Sequence, residues 1–125
     1  QCDFSCMIST DMFREFAAPY IALELGRYVG GEYHLDGPDA IRHLEALSDI
    51  QTLDVVQWVS GAGNEHQDWD GLFRQIEVLG KGQFRGADPS GLPGLLLQFP
   101  PRHLVVRLVC RTREEALACL DKARS

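Results

Sequence analysis

The chain of 125 residues has few of the features that would fix its class at once. No apolar run approaches the roughly 18 residues a membrane-spanning helix needs, because charges and prolines interrupt each candidate. Its four cysteines, Cys2, Cys6, Cys110 and Cys119, form neither a C-x-x-C pair nor the dense framework of a small secreted domain, so reduced thiols are expected. Cys119 falls in an amphipathic helical pattern and reads as a small buried apolar residue. The 12 bases are scattered among 18 acids for a net charge of −6, which argues against a nucleic-acid surface. Low-complexity segments, long linkers and internal repeats are missing too. The sequence opens at Gln1 with neither an initiator methionine nor the basic and apolar regions of a signal peptide, so a cytoplasmic fragment is expected.

What is present is a regular alternation. Short runs suited to strands occupy Gln1–Met7, Glu32–Leu35, Thr52–Val59, Gln83–Phe84 and His103–Cys110. Helical patterns follow each of them. Ser9-Thr10-Asp11 is a helix start, after which Met12, Phe13, Phe16, Tyr20 and Leu23 recur at helical spacing; Pro19 should break that helix unless a new first turn begins there, and Gly30-Gly31 should end it. Pro38 suits the first position of a helix carrying Ile41, Leu44 and Leu47. Asp68 can cap a helix that points Leu72, Phe73, Ile76 and Leu79 at a core, with Gly80 closing it in the left-handed conformation. Leu92–Phe99 reads as one short helix, and Thr112 with Glu115 is a capping box for a last helix over Glu114–Ala123. Five strand-then-helix units predict one domain with a parallel sheet and helices outside it.

In parallel α/β folds functional groups gather where strands end and helices begin. That rule selects Asp3 and Ser5; His34 and Asp36; Gln57, Trp58 and Ser60; Arg85 and Asp88; and Cys110 with Arg111. His34 and Asp36 are one residue apart on an extended segment, so both side chains point to one side and can meet one metal ion or one substrate. The other reading makes Asp36 the N-cap of the helix that starts at Pro38. "WVSGAG" at 58–63 lacks the spacing of a phosphate-binding loop. A Ser60, His34, Asp3 triad fails for want of a G-x-S-x-G elbow. Tyr33 and Trp58 are candidates for flat walls around a ring-shaped ligand, with core as the alternative. His43 and His66 are expected to be solvated.

The stretches "DFSCMISTDMFREFAAPY" (3–20), "YHLDGPDAIRHLEAL" (33–47), "LDVVQWVSGAG" (53–63) and "FRGADPSGLPGLL" (84–96) resemble, in order, segments of the uroporphyrinogen decarboxylase-like superfamily. The likeness is most specific over 33–63. It implies a (β/α)8 barrel of which this chain would be the C-terminal part, about five βα units, a partial barrel domain over 1–125. It also implies one of two chemistries, porphyrin decarboxylation or methyl transfer involving a cobalamin-type corrinoid. In the methyltransferase branch a His-x-Cys-Gly segment supplies zinc ligands, whereas here His34-Leu35-Asp36-Gly37 keeps the histidine and glycine and replaces the thiolate by a carboxylate.

The leading expectation is therefore a methyltransferase with zinc held partly by His34 and Asp36. Asp3, Gln57 and Arg85 would act as catalytic pocket residues, and Ser5, Tyr33, Trp58 and Ser60 would bind substrate. Its partners would be a small-molecule substrate, a corrinoid protein, and either the missing barrel half or further copies of the chain. The alternatives are a catalytically silent or small-molecule-binding fragment, and a carboxylate-handling lyase in which Arg85 and Arg111 pair with substrate.

Overall fold

The computed structural model describes residues 1–124. The fold is α/β, with four strands hydrogen-bonded as a parallel sheet in the order β1 (Glu32–Asp36), β2 (Val55–Val59), β3 (Gly82–Ala87) and β4 (Leu104–Leu108). The helices are α1 (Thr10–Phe16), α2 (Ala18–Leu25), α3 (Leu44–Ser48), α4 (Asp70–Val78), α5 (Leu92–Gln98) and α6 (Arg113–Arg124), with 3-10 turns at Asp3–Met7, Pro38–His43 and Pro101–His103. The chain divides into two compact units, Gln1–Gln83 and Phe84–Ser125.

The expected strand at Gln1–Met7 is a 3-10 turn instead, so four strands stand where five were expected. Ser5 N bonds Cys2 O and Ile8 N bonds Ser5 O, a local closure that takes up the backbone groups a ladder would need. Ser9 then caps α1 through its hydroxyl, which accepts from Met12 N at 3.2 Å. Pro19 stands in the first turn of α2, where its missing N–H costs no helical bond, so the helix restarts around it. The helix ends at Leu25 with Gly26 as its cap, earlier than the glycine pair.

In the first unit, β1 and β2 pair in the register Tyr33↔Val56, His34↔Gln57, Leu35↔Trp58 and Asp36↔Val59. Alternation then sorts their side chains onto two faces. Tyr33, Leu35, Val56 and Trp58 enter a core with Phe13, Leu44, Leu47, Leu53, Leu72 and Ile76. His34 and Gln57, on the opposite face, are only half-buried. The apolar residues of α1 and α2 divide between two sides. Phe13 is fully buried and Ala17, Ile21 and Leu25 lean on the core, while Met12, Phe16, Tyr20 and Leu23 are exposed.

Gly31 sits where the chain enters β1, and a Cβ there would stand 2.4 Å from Thr52 O. Its N–H donates to the Asp54 carboxylate at 2.7 Å, and its carbonyl accepts from Asp54 N and Val55 N. Only glycine permits that approach. Nearby, Lys81 is buried and its Nζ donates to Ile50 O and Leu53 O, both at 2.8 Å. Burial pushes its pKa down, partly offset by Asp54 and Asp49.

In the second unit, Leu92, Leu95, Phe99 and Cys119 are buried, and Val109 N bonds Ala87 O. The capping box is formed: Glu115 N donates to Thr112 Oγ1 at 3.2 Å, and the Glu115 carboxylate accepts from Arg111 N at 2.7 Å. Asp88 closes the turn before α5, accepting from Ser90 Oγ at 2.7 Å and Gly91 N at 2.8 Å. Those two bonds hold its carboxyl below the usual range.

Candidate functional site

On β1 and β2 three polar side chains share the face turned away from the helices, His34 and Gln57 at mid-strand and Asp36 at the C-terminal end of β1. His34 and Gln57 are opposite each other in register, and His34 Nδ1 meets Gln57 Oε1 at 2.5 Å. With the amide oxygen as acceptor, Nδ1 carries a proton, and Nε2 is the ring nitrogen not engaged by Gln57. Asp36, two residues on from His34, extends the same face and is exposed.

The loops beyond these strands close together. Gly37 N donates to Val59 O at 2.9 Å, one residue past the end of β1. Gly37 and Gly61 both have positive φ, 79° and 73°, and a Cβ on Gly61 would lie 3.8 Å from Gly37 Cα. Half-buried Ser60 stands in the second of these loops. The arrangement thus offers an imidazole, an amide and a carboxylate side by side, groups that orient a polar ligand or exchange a proton with it. The chain matches no protein-family model, no curated protein and no solved structure.

Asp36 does not cap the next turn. Gly37 is the N-cap residue there and no side chain bonds the freed backbone donors, because its φ of 79° turns the chain away from the carboxylate. Zinc, which the resemblance implies, takes four ligands at structural sites and at least three from protein at catalytic ones. His34 and Asp36 supply two, and among the described residues no group of three or more His, Cys, Asp or Glu is placed to hold an ion. This donor set does not make a zinc centre by itself.

The remaining candidates lie elsewhere. Tyr33 and Trp58 both belong to the helix-facing core, on the opposite side of the sheet from His34 and Gln57. Burial pushes the Tyr33 phenol up to about 12, an effect that the neighbouring Ser5 side chain and Cys2 backbone partly offset. Trp58 meets Trp69 edge-on at 4.9 Å. Buried Ser5 and exposed Asp3 occupy the first 3-10 turn, where Asp3 accepts from Gln1. Arg85 is in the second unit, its guanidinium 5.5 Å from the centre of the Phe99 ring. Arg111 lines a cleft of about 470 Å³ in that unit with Asp88, Ser90 and Glu115.

His43 is the residue the sequence reading misplaced. It is fully buried, lies flat on Phe13 and donates from Nε2 to Ser5 O at 2.8 Å. Its Nδ1 is buried without a partner, and burial pushes its pKa down. The signal was available, since Ala40, His43 and Leu47 fall on one helical face. His66 is exposed, as expected.

Among the described residues no helix is long and apolar enough to cross a membrane.

Proposed function

We propose that this chain supplies C-terminal βα units of a (β/α)8 enzyme of the uroporphyrinogen decarboxylase-like kind that moves a methyl group to or from a corrinoid carried by a partner protein. The observation that carries the reading is the His34–Gln57 pair at the middle of two adjacent parallel strands, with Asp36 at the C-terminal end of β1 on the same face. In a closed barrel that sheet face lines the interior, and its C-terminal end is where barrel enzymes do their chemistry. Strand order supports the same reading, since consecutive parallel strands that neighbour each other in sequence order build a barrel, whereas doubly wound sheets reverse direction.

Within this proposal His34 Nε2 accepts a hydrogen bond from the methyl acceptor or donor, Gln57 fixes the imidazole, and Asp36 pairs with a cationic or proton-bearing group of the substrate. A zinc ion at His34 and Asp36 would require a further donor from another part of the barrel, and no step is routed through it. Asp36 in place of the thiolate favours nitrogen- or oxygen-bound methyl groups over thiol alkylation.

The test is methyl transfer from methylated amines or methanol to cob(I)alamin, giving methylcob(III)alamin, and from methylcob(III)alamin to thiols, giving the thioether and cob(I)alamin, each followed by the absorbance change of the corrinoid. Turnover that depends on His34 and Gln57 supports the proposal. Absence of transfer with every donor, alongside tight corrinoid or small-molecule binding, would favour the silent binding fragment that the missing thiolate also suits.

A further inference from the structure

Met12, Phe16, Tyr20 and Leu23 are 45, 60, 69 and 63 % exposed, although each is a large apolar side chain on a helix. Steps of four, four and three residues line them up in one stripe along α1 and α2. The first helix ends and the second begins at Ala17: Ala17 N bonds Phe13 O, Ala17 O accepts from Tyr20 N and Ile21 N, and Pro19 has no N–H to carry the ladder through. On each helix the exposed pair lies apart from the core-facing residues, Phe13 on the first and Ile21 and Leu25 on the second. Pairing the free edge of β1 or closing the sheet into a barrel would cover the strand edge and the sheet face that bears His34.

We propose that the stripe is a two-fold docking surface for a second copy of this chain. Two features favour self-pairing over another partner. Read along the helices the stripe is aliphatic, aromatic, aromatic, aliphatic. An antiparallel two-fold contact therefore sets Met12 against the partner copy's Leu23 and Phe16 against its Tyr20, matching like with like in the self-complementary way such interfaces require. The second feature is area. Four side chains of this size, each roughly half to two-thirds exposed, present on the order of 500 Å² per copy. That is near the largest apolar patch an ordinary monomer tolerates and, with polar side chains at its margin, reaches the size of a small specific interface. The resulting dimer is a weak one, in the micromolar range.

Sedimentation equilibrium on the 125-residue chain tests this. A monomer–dimer equilibrium is expected, weakened at least tenfold by Phe16→Glu and by Tyr20→Lys. Both positions are exposed, so circular dichroism should show the fold retained. Mixing the two variants one to one should restore dimers, because Glu at 16 then faces Lys at 20 across one contact while the other contact keeps its native pair. A wild-type chain that stays monomeric to about 500 μM would overturn the proposal. So would association that neither variant weakens, or that grows beyond the dimer, since that is how an open β1 edge would assemble. These outcomes are independent of whether methyl transfer is found.

Discussion

The imidazole of His43 lies on the ring of Phe13, with centroids 4.3 Å apart and planes 16° from parallel, and its Nε2 reaches across to the carbonyl of Ser5. A carbonyl can only accept, so Nε2 holds a proton, and burial, which lowers the pKa of the ring, favours its neutral form. This one side chain ties the turn before α3 to α1 and to the first 3-10 turn. The contact is an aromatic stack plus one hydrogen bond, in a place where a charged ring would be unsolvated.

Stability should therefore depend on pH through His43. Its folded pKa is lowered from 6.5 by burial, with Arg42 adding to the shift. Between the folded pKa and about 6.5 the unfolded chain binds the extra proton, so stability is full above pH 6.5 and declines as pH falls below it. Urea midpoints measured from pH 7.5 to 5 should fall for the native chain and stay flatter over that window in His43→Leu. An equal slope in both would assign the dependence to other groups.

Lys81→Met should destabilise the first unit by roughly 2 kcal/mol. The substitution keeps much of the apolar stem but removes the donor to Leu53 O and leaves Ile50 O with only its bond from Leu53 N. Denaturant unfolding measures it, and a neutral result would mean that water takes over both carbonyls.

Gly31→Ala should cost about 1–3 kcal/mol, because the added methyl has Thr52 O in its way at 2.4 Å and backbone must shift to admit it. Gly63→Ala is the comparison. Nothing lies within 4 Å of a Cβ there, so any loss comes only from its φ of 84°. A loss at Gly31 smaller than at Gly63 would show that the strand entry gives way easily.

Much of this was legible in the residues. Ser9, Pro19, Gly80 and the Thr112–Glu115 box mark helix ends by local chemistry, and local chemistry is what sequence carries. The β-branched run at Val55–Val59 likewise announced its strand. Which face of a segment meets the core is decided by neighbours distant in sequence, and there the reading failed. Met12, Phe16, Tyr20 and Leu23 have the periodicity of a buried face, yet Phe13 and Ile21 take that role. His43 was assigned to solvent by residue type although its spacing placed it with Ala40 and Leu47. His34 beside Asp36 was visible from alternation alone, while the pairing of His34 with Gln57 needed the register of β1 on β2.

The last expectation separates shape from chemistry at that pair. Because Gly37 opens the turn after β1, Asp36→Asn and Asp36→Ala should both leave unfolding free energies within about 0.5 kcal/mol of the native chain. A true N-cap would tolerate asparagine and lose about 1 kcal/mol with alanine. His34→Ala and Gln57→Leu lie on a half-buried sheet face and should also be mild in stability. Function should respond in the opposite order. In the methyl-transfer assay His34→Ala should lower kcat/KM by about 100-fold or more, the range typical of removing a group that exchanges protons with a substrate. Gln57→Leu should lose less, since it acts only by holding the imidazole, and Gln57→Glu, which restores the acceptor, should recover part of the loss. If His34→Ala reduced stability and left transfer intact, the pair would be a cross-strand contact and the site would have to be sought on other loops.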